Sequence, residues 1–336
     1  RPSRGLSRCP DRIRGENVLH RPLSTVGDSC PQSATLSPLT PRVTGGDRGR
    51  IASSTRARPA VAERLVGEPF RIDTSVAHMA RVNDYLLGGT DNFAVDRELA
   101  EHTAAALPGG IDGARVNVRA NRAFRAWAVR FLAGGMGIHQ FLDMGTGIPN
   151  ADNVHGVAQQ VAPTSRVVYV DHDAVVLAHA HALLKTAPQG ATAYVHADLR
   201  DPETILTTAA ETLDFSQPVA LMLVGVLHHI LHHENPYGIV GRLLAAVPSV
   251  SYLVVSHLAS DIHPEAMAEL AARHNQAVPA EAAVVRDHAG VCRFFDGLEP
   301  VAPGVTPLDH WPDQQTRAIP AGYLPIPIYG AIGRKP

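Results

Sequence analysis

Cysteine is scarce, with three in 336 residues at Cys9, Cys30 and Cys292 and no CxxC pair. This scarcity excludes a disulfide framework and a cysteine-based zinc site, and it fits a reducing compartment; the cytoplasm is the expected location. No uninterrupted apolar run reaches about 18 residues, so no membrane span is expected. A basic stretch followed by an apolar one is also missing at the start, which argues against a secretory signal. Lysine occurs only as Lys185 and Lys335 among 30 basic residues. Such a bias towards arginine, with abundant Ala, Gly, Val and Pro, reads as a high-GC coding background.

The net charge of -2 hides an asymmetry. Residues 1–60 carry eleven Arg against four acids, a balance of +7, which leaves -9 for the rest. The body of the chain is therefore acidic and lacks the basic patch that phosphate binding requires, so nucleic acid is not an expected partner. Residues 1–65 are rich in Arg, Ser and Pro and show no apolar period. They cannot bury enough surface to offset their ordering entropy, and disorder is predicted for them.

The pattern then changes. Residues 66–136 read as a helical cap, with helices over Thr74–Leu87, Phe93–Ala106 and Val116–Ala133. Within 137–336, strand patterns at 140–143, 166–171, 193–197, 219–226 and 251–257 alternate with helical ones at 150–161, 174–185, 202–211 and 236–247. This alternation predicts right-handed βαβ units: an α/β, Rossmann-like fold with a mostly parallel sheet covered by helices on both faces. Phe294–Leu298 and Ile326–Gly333 read as two more strands, a hairpin at one edge of a seven-stranded sheet.

The segment Phe141-Leu-Asp143-Met-Gly145-Thr146-Gly147-Ile-Pro149 falls where the first strand gives way to a helix, the ligand-binding end of an open α/β sheet. The second strand ends in Asp171, placed to accept from both ribose hydroxyls, with His172 beside it. The third ends in Asp198-Leu199, an acid for an adenine amino group and a backbone N–H for a ring nitrogen. Together the three strand ends suit an adenosine. A pyrophosphate fits poorly: Asn150 stands where GxGxxG needs its third glycine, Pro149 removes an N–H donor, and Asp143 would repel phosphate. An acid there suits the cationic sulfonium and ammonium of S-adenosylmethionine instead.

The runs Ala80–Phe93, Arg119-Ala-Asn121-Arg122, Phe141–Pro149, Val168–Asp171, Ala197–Pro202 and Tyr329–Lys335 closely resemble an actinobacterial S-adenosyl methyltransferase family, formerly a domain of unknown function. The resemblance covers about residues 70–335. It implies a class I methyltransferase fold with S-adenosylmethionine held by Asp143, Gly145, Thr146 and Gly147 at its methionine end, Asp171 at the ribose and Asp198 at the adenine. Tyr85, Asn92 and Phe93 of the cap read as a lid or substrate contact, largely on this resemblance.

Methyl transfer needs a base only if the acceptor must lose a proton. His228 and His257, at the ends of the fourth and fifth strands, are the candidates. His228/His232 and His229/His233 are i,i+4 pairs, but the stretch follows a strand and lacks a central Glu, so no metal is expected. The function predicted is methylation of a small-molecule acceptor. A non-catalytic S-adenosylmethionine sensor and an NAD-dependent oxidoreductase remain as alternatives.

Overall fold

The computed structural model describes residues 73–149, 152–173, 176, 178, 179, 186–312 and 325–336. The predicted N-terminal disorder and the predicted helix at 174–185 lie outside these residues or largely so. Five strands form the parallel part of the sheet: β1 (Gln140–Met144), β2 (Arg166–Asp171), β3 (Ala191–His196), β4 (Ala220–Val224) and β5 (Tyr252–Leu258). Three more follow: β6 (Glu299–Pro300), β7 (Thr306–Pro307) and β8 (Ile328–Arg334). The order is β3-β2-β1-β4-β5-β8-β6, with β7 also on β8, and β8 runs antiparallel to β5.

The inner strands are apolar throughout because both faces are covered. Parity assigns the sides. Phe141, Val167, Tyr169, Met222 and Val254 point into one core layer with Phe124 and Trp311. Leu142, Val168, Leu221, Leu253 and Phe294 fill the other. Chain order reverses between β1 and β4, which pair directly. The crevice beyond their carboxyl ends is the switch point of the sheet.

Three helices cover the first layer: α1 (Met79–Leu87), α2 (Ala94–Ala104) and α3 (Gly110–Arg130). They belong to the same compact unit as the sheet, which runs from Ile72 to Pro336. The buried Arg81–Asp96 ion pair, 3.0 Å, joins α1 to α2. Further helices among the described residues are α4 (Val154–Val161), α5 (Pro202–Ala209), α6 (Pro236–Ala245), α7 (Pro264–Ala277) and α8 (His288–Cys292). None of the described helices is long and apolar enough to cross a membrane.

Two expectations need correction. α1 begins at Met79 rather than near Thr74, because Asp73 is used locally by Ser75 and the chain enters the helix only at His78. Phe294-Phe295 is not strand: Asp287 caps α8 by accepting from Gly290 N–H at 2.8 Å, and the chain continues into a helical turn, Arg293–Phe295, that sinks Phe294 into the second core layer. The edge hairpin is thus replaced by β8 lying inside the sheet, flanked by β5 on one side and by the two-residue β6 and β7 on the other.

Candidate active site

At the end of β1 the backbone turns through two glycines with positive φ, Gly145 (74°) and Gly147 (65°). A Cβ on Gly145 would stand 2.5 Å from Val226 Cγ2, so the turn also needs the missing side chain. Asp171 fixes this turn from β2: its carboxylate accepts from Gly147 N–H at 3.1 Å and from Asp173 N–H at 3.0 Å. Thr146 is buried, its hydroxyl near the carbonyls of Asp143 and Val170. Burial raises the pKa of Asp171 against the lowering effect of those two N–H donors.

Asp143 shares the parity of Phe141 and so faces α3. It is buried, its Oδ2 has no hydrogen-bond partner, and burial raises its pKa despite Arg125 and Arg122 nearby. Arg122 and Arg125 stand on the α3 stripe that includes Asn117, Val118 and Asn121. Burial, then the neighbouring Arg125, lowers Arg122 to about 9. Sequence reasoning quoted Asn121 and Arg122 within the family-like run without giving them a role. Their signal was the i, i+3, i+4 spacing of polar residues on an otherwise apolar helix face.

A cavity of about 190 Å³ opens between α1, α3 and the carboxyl ends of β4 and β5. Met79, Val82, Leu86 and Leu270 give it apolar walls, and Gly145–Gly147 borders it. Its polar end is a group of histidines: His228 and His229 rings lie 4.3 Å apart, His228 and His257 5.9 Å, His229 and His274 6.0 Å. Burial holds all of the first three in the neutral form, with His229 lowered to about 4, His257 to about 3 and His228 well below its ordinary value.

His228 and His257 are not equivalent. Ser256 faces α3 and donates to Asn121 Oδ1. One residue on, parity turns His257 to the opposite face, where its Nδ1 donates to Leu258 O and its Nε2 accepts from Arg286 at 2.6 Å. Arg286 in turn donates to the carbonyls of Leu227 and Ile230. The lone pair of His257 is therefore occupied, which removes it as a proton acceptor and makes it a support for the 227–230 loop. The Nδ1 atoms of His228 and His229 are both buried with no hydrogen-bond partner.

Other sequence candidates lie elsewhere. Leu199 is buried, while Asp198 is half-exposed at its strand end and shares Arg200 with Glu234. His172 is exposed beside Asp171. Tyr85, Asn92 and Phe93 do not line the cavity. Tyr85 donates to Glu101, Asn92 is held by Asp84 and Arg97, and Phe93 packs under Arg81. These three knit α1 to α2; the cavity face of α1 is Met79, Val82, Asn83 and Leu86. His228–His229 and His232–His233 sit in two separate helical turns, so the i,i+4 pairs share no helix face.

The S-adenosyl methyltransferase family model matches residues 66–336. The chain belongs to that family. A DUF574 family protein from Streptomyces avermitilis is 40% identical, with a TM-score of 0.72 over 79% of this chain and 100% of its own. A structure from Thermobifida fusca described as a methyltransferase is 38% identical, with a TM-score of 0.69 over 78% of this chain and 96% of its own. No curated protein matches. Family membership makes the chain an S-adenosylmethionine-dependent methyltransferase and displaces the oxidoreductase and sensor alternatives.

Proposed function

We propose that this methyltransferase acts on a small, largely apolar acceptor seated in the cavity beneath the cap, with His228 taking the proton that the acceptor gives up. One observation carries this reading: His228, a buried imidazole held neutral with its Nδ1 unpartnered, lines the cavity on the sheet end that also carries the glycine turn.

The residues at the switch point fit the cofactor. Asp143 offers a buried, unpartnered acceptor for an ammonium group, and Arg122 offers a cation for a carboxylate. The Gly145–Gly147 turn, its glycines at positive φ, borders the cavity with bare backbone. Asp171 receives the ribose hydroxyls, with His172 beside it, and Asp198 with the Leu199 N–H receives the adenine edge. Bound there, S-adenosylmethionine would supply an electrophilic methyl on its sulfonium, with sulfur keeping the electron pair of the C–S bond.

The chain's own part is positioning and proton handling. The apolar walls exclude water, and Asn121, fixed by Ser256, stands in the wall beside the cavity. An acceptor hydroxyl, amine or acidic C–H passes its proton to His228 Nδ1, whose depressed pKa keeps it free to accept at neutral pH. The acidic charge of the body and the small apolar cavity both favour a metabolite over nucleic acid.

The test supplies S-adenosylmethionine with pooled phenols, amines and acidic carbon compounds and measures S-adenosylhomocysteine formation. His228→Gln is expected to lower kcat by roughly 10²–10⁴-fold with S-adenosylhomocysteine affinity unchanged. A folded variant turning over at the wild-type rate sinks the base assignment.

A further inference from the structure

The geometry points to a divalent-metal site of the zinc type, formed by His78, His172 and Glu281 with Asp173 behind it, that clasps the cap to the sheet. It rests on the fold alone and not on the acceptor reading above. The three side chains come from remote parts of the sequence. His78 precedes α1, His172 follows β2, and Glu281 closes the helical turn after α7. One donor atom from each lies within 4.8 Å of the others, and among the described residues no other group of three His, Cys, Asp or Glu side chains does so.

The hydrogen-bond arithmetic at His78 asks for a cation. Its Nδ1 stands 3.2 Å from Asp173 Oδ2 and its Nε2 3.1 Å from Glu281 Oε1. Nδ1 also caps α1 by accepting from Ala80 N–H at 3.4 Å, so in the neutral Nε2–H tautomer that lone pair still lies against the Asp173 carboxylate. Either a second proton or a metal ion resolves this. With the proton moved to Nδ1 and given to Asp173 in place of the long Ala80 contact, Nε2 and Glu281 Oε1 become two metal ligands. Ligands held at about 2.0–2.2 Å by tetrahedral zinc stand roughly 3.3 Å apart, close to the separation found.

His172 supplies the third donor. Its ring centroid lies 6.0 Å from that of His78, and a donor atom of each falls within the 4.8 Å group. The side chain of His172 is 60% exposed and free to turn by the small amount needed. Two imidazoles and one carboxylate form a borderline donor set suited to zinc, with a fourth position left to water. Asp173 supplies the carboxylate–histidine–metal relay that orients a ligating imidazole. The ion would bind the first turn of the cap to the corner that carries Asp171.

The experiment uses the full chain without a histidine tag, stripped with chelator and exchanged into chelator-free buffer at about pH 7.5, where imidazoles are neutral. Zn²⁺ is titrated by calorimetry and Co²⁺ by its visible absorption. One equivalent is expected to bind with a Kd of about 10 μM or tighter, raising the melting temperature. Glu281→Gln, which keeps the side-chain shape, and His78→Gln are each expected to weaken binding at least tenfold, about 1.4 kcal/mol. The double variant H232Q/H233Q is expected to bind as the wild type does. No binding near that concentration overturns the site. So does binding that survives E281Q and H78Q, or that is lost in H232Q/H233Q.

Discussion

Asp171→Ala tests the cofactor site where its construction is best defined. The carboxylate does two jobs: it organises the glycine turn through Gly147 N–H and Asp173 N–H, and it is the proposed acceptor for the ribose hydroxyls. Hydrogen bonds to a charged group contribute about 1.5–3 kcal/mol each. Part of this is offset, because burial raises the carboxylate's own pKa and so disfavours its ionised form. Losing two ribose contacts, less the desolvation no longer incurred, leaves an expected loss of about 1.4–3 kcal/mol, or roughly 10–150-fold in S-adenosylhomocysteine affinity. Calorimetry measures it, with circular dichroism and a melt to establish that the variant is folded. Asp171→Asn keeps the side-chain shape but impairs both jobs. Its single amide oxygen can hold one of the two backbone donors while its NH₂ faces the other, so its affinity should fall nearly as far. A folded Asp171→Ala binding within about threefold of wild type would refute the ribose assignment.

Gly145→Ala places a methyl 2.5 Å from Val226 Cγ2 at a φ of 74°; a loss of about 1–3 kcal/mol is expected, read as a melt lowered by several degrees, and an unchanged melt contradicts the tight packing of the turn on Val226. Arg122→Gln should weaken S-adenosylhomocysteine binding about tenfold at pH 7.5; a folded variant that binds as the wild type does rules out the carboxylate role. His229 and His257 have folded-state pKa values of about 4 and 3, below the unfolded value, so the stability they confer is full above about pH 6.5 and is lost as pH falls towards 4 and 3. Each contributes a slope of about 1.4 kcal/mol per pH unit in that window, opposed by the raised carboxylates Asp143 and Asp171, so the test is differential: urea melts between pH 7 and 5 should show a shallower slope for His229→Gln than for wild type, and identical slopes would refute neutral burial.

The parallel sheet was legible because buried strands are written as short unbroken apolar runs, as in Val167–Val170 and Leu221–Val224. The tail was not legible. Phe294-Phe295 has strand composition, and only Asp287 capping a short helix seven residues earlier decides for a helical turn. A cap hydrogen bond and burial of one aromatic ring outweigh β-propensity there, a tertiary override that no local window contains. The glycine turn and Asp171 were legible for the opposite reason: a backbone conformation that needs glycine and a strand-end carboxylate are local requirements.

The histidines mark the boundary between these cases. Sequence position puts both His228 and His257 at strand ends, yet the two-residue period of β5 sends Ser256 towards α3 and His257 towards Arg286. A single residue of register thus turns His257 away from the Asn121 face and makes it a structural support. The same parity sets the charge layout of the crevice. Asp143, Arg122 and Arg125 gather ionisable charge on the glycine-turn side, while His228, His229 and His257 are held neutral on the cavity side. A cationic acceptor would meet no compensating anion among those histidines and would pay its desolvation in full. A neutral acceptor that sheds a proton as it is methylated leaves one new charge, and the His228 nitrogen without a partner is where that proton can go.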